Sequence, residues 1–275
     1  MSRHAGTRGK ARFAATALAL VMAAGLAGCG TDRMSTGSIG PSRGKAVETM
    51  SAGELQSASV ALGRSYASNP NDKGLAIKYA TVLQMNGDAD QSLAVMRKLA
   101  IAYPKDRDVL AAYGKALAAN GQLQPALDAV RRAQTPEYPD WKLVSAEGAI
   151  LDQLGQKDQA RERYRKALEL KPNEPSVLSN LGMSYLLGGD LRMAETYLRS
   201  AAQQPSADSR VRQNLALVVG LQGRFDEAEK IASQELPPDQ AAANVAYLRK
   251  MLSQQNAWNQ LKKEDKGGGA ETNTN

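Results

Sequence analysis

The chain has 275 residues, 43% of them hydrophobic and 5% aromatic, with 35 lysines and arginines, 28 aspartates and glutamates, one histidine and one cysteine. A single cysteine excludes an intrachain disulfide. The histidine is His4 and the cysteine is Cys29, so nothing after residue 29 can supply a Ser-His-Asp or Cys-His nucleophile or a His/Cys zinc set.

Residues 1–28 read as a signal peptide of the lipoprotein type. Arg3, Arg8, Lys10 and Arg12 precede an apolar run over 13–25 that is too short to span a bilayer but suits export. The run ends in Leu26-Ala27-Gly28-Cys29, which resembles a bacterial lipobox, in which the cysteine becomes the acylated first residue of the mature protein. Two or more acyl chains anchor a protein stably where one does not, so the expectation is a membrane-bound protein in the cell envelope. In enterobacterial lipoproteins an aspartate after the cysteine favours inner-membrane retention. Gly30 stands there instead, and the resemblance implies an outer-membrane anchor with the protein on the periplasmic face.

Residues 29–46 form a glycine- and serine-rich tether that would hold the following domain within roughly 20–25 Å of the anchor. Removing four basic residues with the leader leaves 35 − 4 = 31 against 28, a net charge of +3. The sequence 40–45, Gly-Pro-Ser-Arg-Gly-Lys, has its glycines one residue too close for a phosphate loop, and Ala46 stands where Ser or Thr is required.

From residue 47 the organisation changes. A glycine returns every 34 residues, at Gly53, Gly87, Gly121, Gly155, Gly189 and Gly223. Seven residues before the last five stands a small residue: Ala80, Gly114, Gly148, Gly182 or Ala216. Five residues after them come Ser92, Ala126, Ala160, Ala194 and Ala228. Small residues at those offsets let two helices approach closely, and the glycine supplies the turn between them. Prolines at 70, 104, 172 and 205 punctuate the second helices, and Asp72, Asp106, Asp140 and Asp208 stand where the next helix needs an N-cap. A fixed period of this length marks stacked helical pairs.

These residues resemble the tetratricopeptide repeat, most closely from about Trp141 to Pro172, where Gly148, Gly155, Ala160, Tyr164, Ala167 and Pro172 are all in place. The expected fold is all-α, a superhelical solenoid with five full repeats (73–106, 107–140, 141–174, 175–208 and 209–236). A half repeat at 47–70 precedes them, and a capping helix runs from about Asp239 to Trp258. The repeat domain is 47–262, and the polar, glycine-rich stretch 263–275 is a disordered tail. Ser92 and Leu99 replace alanines in the first full repeat, which leaves its packing less well specified.

The basic run 161–166 reads as a solvated helix face, with Glu162 and Lys166 four apart and Tyr164 turned to the core; nucleic acid is not an expected partner. Asp226, Glu227 and Glu229 are carboxylates on a repeat helix, expected in water and not paired for catalysis. No catalytic residue, metal ligand or cofactor is assigned.

In the resemblance to tetratricopeptide solenoids the first helix of each repeat lines the concave face. The contact positions carried over include Met85, Lys115, Ala118, Lys142, Asp152, Ser179, Met183, Leu186, Leu187, Arg210, Leu217 and Leu221. The expected peptide-binding groove centres on Lys115, Lys142, Asn180, Met183, Leu186, Arg210, Asn214 and Leu217. Its C-terminal half is rich in methionine and leucine and suits an amphipathic partner segment; Leu187 and Leu221 read equally well as inter-repeat core. Ile77 and Thr81 stand where a clamp for a partner's C-terminal carboxylate needs lysine and asparagine. Trp141 is expected to pack on the preceding repeat. Trp258 shares a stripe with Val245, Leu248 and Leu252 and either closes the cap or anchors a partner.

A lipobox, a tether, five or six repeats and the terminal segment Met251-Leu252-Ser253-Gln254-Gln255-Asn256-Ala257-Trp258 together resemble the TadD family of Tad (Flp) pilus assembly lipoproteins. The resemblance implies a non-enzymatic, lipid-anchored scaffold for the pilus secretion machinery, with the outer-membrane secretin or other Tad assembly subunits as protein partners. A general envelope scaffold that docks peptidoglycan enzymes is the alternative reading.

Overall fold

The computed structural model describes residue 47 and residues 50–268 except 136 and 138, with side chains described to residue 255. The signal peptide, Cys29 and the tether expected in 1–46 lie outside the described residues. Among the described residues twelve helices follow one another: α1 (Ala52–Ser68), α2 (Lys73–Met85), α3 (Ala89–Ala102), α4 (Arg107–Ala119), α5 (Leu123–Ala133), α6 (Trp141–Gln153), α7 (Lys157–Leu170), α8 (Pro175–Leu187), α9 (Leu191–Ala202), α10 (Ser209–Leu221), α11 (Phe225–Ala232) and α12 (Pro238–Gly268). The pairs α2/α3, α4/α5, α6/α7, α8/α9 and α10/α11 are the five full repeats, and α1 is the half repeat. α12 begins one residue before the expected cap and extends past residue 263, the expected start of the polar tail.

The turns form for the reason the period implies. Gly87, Gly121, Gly155, Gly189 and Gly223 all have φ between 76° and 89°, a region where an L side chain is strained. Gly53 is the exception and lies inside α1, because Ser51 and Glu54 close a capping box that starts the helix before the glycine. The expected aspartate caps are in place. Asp72 accepts from the Leu75 N–H at 2.9 Å, Asp106 from Val109 at 3.1 Å, Asp140 from Lys142 at 2.8 Å and Asp208 from Val211 at 3.2 Å. α8 has no side-chain cap and begins instead with Pro175, whose missing N–H leaves one fewer donor to satisfy.

Within each repeat the helices meet across the small residues. A Cβ on Gly182 would lie 2.8 Å from Leu198 Cγ and 3.0 Å from the Ala194 carbonyl oxygen, so this crossing admits no side chain. Ser92 fits the corresponding position of the first repeat because its hydroxyl donates to the Ala80 carbonyl at 2.8 Å, and Leu99, two turns further along α3, is buried as well. Each second helix packs on its own first helix and on the first helix of the next repeat. The first helices also touch in sequence, α2 on α4, α4 on α6, α6 on α8, α8 on α10 and α10 on α12, and no pair of second helices does so to the same extent. First helices are therefore drawn together along one face and second helices spread along the other. One apolar core runs from Ala76 to Leu181 and a second from Ala194 to Val245.

Candidate peptide-binding face

The first helices carry every expected groove residue. Lys115 on α4, Lys142 on α6, Asn180 on α8 and Arg210 on α10 are exposed, while Met183, Leu186, Asn214 and Leu217 are half-buried. Met183 and Leu186 pack against the second core, which contains Leu215 and Val218 of the neighbouring α10. The apolar part of the face is thus the open margin of the core. Leu187, which reads from the sequence as either core or groove, is 46% exposed, whereas Leu221 is half-buried; Met85 is exposed at the other end of the face.

The polar residues are less free than their exposure implies. Asn180 donates to Ser145 Oγ at 3.3 Å, and Asn214, one repeat on, donates to Ser179 Oγ at 3.2 Å. The same bond recurs at the same register, so these amides tie each first helix to the one before it. An amide nitrogen has two hydrogens and its oxygen two lone pairs, so each side chain keeps capacity for a peptide backbone. Arg210 is held by Asp208 through two bonds of 2.9 and 2.7 Å, and Lys142 Nζ sits 5.6 Å from the centre of the Trp141 ring. Trp141 is half-buried against the first core. Trp258 belongs to α12 by its backbone, and its side chain lies outside the described residues.

A hydrogen-bonded knot that the periodicity does not reveal stiffens this face between the third and fourth repeats. Asp152 accepts from Ser184 Oγ at 2.8 Å and from Tyr164 Oη at 3.0 Å. Burial raises the Asp152 pKa and the two hydrogen bonds oppose it; burial and the carboxylate together push the Tyr164 phenol far above its ordinary range. The resemblance makes Asp152 a contact residue of the groove. In the structure its carboxylate instead joins α6, α7 and α8.

The run 161–166 keeps its expected solvated face at Glu162, Arg165 and Lys166 and departs from it at Arg161. Tyr164 is buried as expected, but the Arg161 side chain is only 16% exposed. Its guanidinium lies 4.2 Å from the centre of the Tyr185 ring and donates to the Ser184 carbonyl at 3.1 Å. With Lys157 donating to the Leu187 carbonyl at 2.6 Å, it places positive charge at the C-terminal end of α8, where unpaired carbonyls favour cations. Lys166 pairs with Glu169 at 2.8 Å and not with Glu162.

Among the described residues no cluster of His, Cys, Asp and Glu could hold a metal ion, and no helix is long and apolar enough to cross a membrane.

Family models described as tetratricopeptide repeat and TPR repeat match residues 78–140 and 148–189. Comparison by sequence with curated proteins gives no match. Among solved structures, the chain is similar to PilW, described as a widely conserved type IV pilus biogenesis factor (TM-score 0.60, 17% identity, 72% of this chain and 94% of that one). It is also similar to PilF of Pseudomonas aeruginosa (0.54, 20%, 72% and 90%) and to TTC0263 of Thermus thermophilus, described as a thermophilic TPR protein (0.54, 23%, 61% and 91%). At these identities the likeness establishes the fold.

Proposed function

We propose that this chain, a protein-interaction scaffold built of tetratricopeptide repeats, serves the assembly of a Tad-type pilus secretion machine. It is held at the outer membrane by acyl chains on Cys29 and receives one segment of a secretin or partner subunit along its first-helix face. The observation that carries the binding reading is the open apolar margin at Met183, Leu186 and Leu217, flanked by the amides of Asn180 and Asn214. A partner helix with apolar residues on one side would cover the leucines and methionine, and the amides would fix its register. Methionine, with three rotatable bonds, adapts to the partner's shape.

The pilus assignment is supported by the lipobox-like sequence, the C-terminal segment 251–258 and the likeness in fold to PilW and PilF. An anchor with a short tether confines the face to the membrane surface and raises its effective concentration toward subunits arriving there. The test is the number of assembled secretin rings in envelopes of cells lacking the protein. A marked fall, restored by the wild-type chain and not by Cys29→Ala, is expected; unchanged ring assembly would refute the proposal.

A further inference from the structure

A cavity of about 320 Å³ lies among α5, α6 and α7, lined by Arg131, Gln134, Glu147, Leu151, Gln159, Glu162 and Arg163 and by none of the expected groove residues. Three of these break the repeat register. Glu147 stands where the other full repeats have Tyr79, Tyr113, Leu181 and Leu215. Arg163 stands where they have Val95, Ala129, Tyr197 and Ile231. Gln134 stands where they have Ala100, Leu168, Ala202 and Leu236. Polar groups therefore replace apolar ones at three positions in this one inter-helix groove, and all three line the same space.

The three do not merely satisfy one another. Glu147 is only 4% exposed, and its carboxylate accepts from Arg131 Nε at 2.9 Å and from Gln134 Nε2 at 3.0 Å. Arg163 is half-buried and has no hydrogen-bond or ion-pair partner among the described residues. None of its guanidinium nitrogens is both buried and unpartnered, so they remain open to solvent within the cavity, and the repeat's own solution at this position is an apolar side chain. Glu147 is already neutralised by Arg131, whose side chain also lines the cavity. Glu162, the other carboxylate, is exposed at the rim. The free capacity within the cavity is mainly that of donors, in the planar array that receives a carboxylate through two parallel bonds.

We propose that this cavity is a second docking site, which receives an aspartate or glutamate side chain from a protein partner, with Arg163 as the principal contact and Gln134 and Arg131 as supporting donors. The site is independent of the first-helix face and of the pilus reading, and two partners can occupy the chain at once.

The test uses the full chain with 15N-labelled arginine and three probes: a capped peptide of six glutamates, a capped peptide of six glutamines, and sodium glutarate. The Arg163 Nε–H signal is assigned by its loss in Arg163→Gln. The glutamate peptide is expected to shift that signal, and Arg163→Gln to weaken its binding by about tenfold or more, the loss of one charge-assisted contact, with helix content unchanged by circular dichroism. Arg163→Leu, which restores the apolar register, is expected to abolish binding without loss of thermal stability. Equal binding of the glutamate and glutamine peptides, or equal binding by wild type and Arg163→Gln, would overturn the proposal. Glutarate binding as tightly as the peptide would overturn the protein-partner assignment in favour of a small-carboxylate site.

Discussion

Placing a single methyl group on each of two glycines should move stability in opposite directions. In Gly182→Ala the new Cβ meets Leu198 Cγ at 2.8 Å and the Ala194 carbonyl oxygen at 3.0 Å. Leu198 is fully buried, and a backbone carbonyl cannot swing aside, so α8 and α9 must move apart. Overpacking of this kind costs about 1–3 kcal/mol, against which alanine recovers just under ~1 kcal/mol of helix propensity. The net expectation is a loss of up to about 2 kcal/mol. In Gly53→Ala the Cβ meets nothing within 4 Å and the residue is helical, so propensity acts alone and the variant gains about 0.5–1 kcal/mol. Urea unfolding followed by circular dichroism measures both. A Gly182→Ala variant stabilised as much as Gly53→Ala, with unchanged transition slope, would refute the close-approach account of the repeat period.

Further outcomes follow from other contacts. Gly189→Ala, forced to keep φ near 84° with open space around it, should lose about 1 kcal/mol or slightly more from backbone strain alone, measurable in the same titration. Tyr164→Phe removes one of two donors to Asp152 and should cost about 1–2 kcal/mol while preserving helix content, again read by urea unfolding. Glu195 lies among Arg224, Gln222 and Arg199, and the hydrogen bond from Arg224, ahead of the others, lowers its pKa to about 2. A carboxyl depressed in this way stabilises the fold fully above its unfolded value of about 4.5, and the contribution disappears as pH falls toward 2. The full shift corresponds to roughly 3 kcal/mol, and since both arginines are 40% exposed, about 1–2 kcal/mol is expected after screening. Glu195→Gln should therefore be destabilised at pH 7 and converge on wild type as thermal unfolding is repeated between about pH 4.5 and 2.

The repeat boundaries were legible because backbone geometry constrains them directly. A turn with φ near +80° calls for glycine, a close crossing calls for glycine, alanine or serine, and a first turn calls for an aspartate; each requirement narrows the residue type at one offset. Gly53 shows the limit, since the capping box of Ser51 and Glu54 overrides the glycine's usual place. Side-chain partners across repeats were not legible. Nothing in the spacing says that Asp152 is shared by Tyr164 and Ser184, or that Arg161 stacks on Tyr185, because those contacts depend on how one repeat turns relative to the next. Asn180 and Asn214 were found by their shared register, but their serine partners lie 35 residues away on another helix. The signal for the cavity among α5, α6 and α7 was present in the sequence, as charges at 147 and 163 where other repeats are apolar. Its meaning required knowing that both positions line one space.

Whether the first-helix face holds a pilus assembly subunit in the cell is the central question. A photo-crosslinking residue at Met183, half-buried at the open margin of the core, irradiated in intact cells and followed by mass spectrometry of the adducts, tests this directly. The expected result is covalent capture of a secretin or another pilus assembly subunit, reduced when Leu217 is replaced by Asp. Adducts with peptidoglycan enzymes alone, or no adduct from a properly folded and anchored protein, would contradict it.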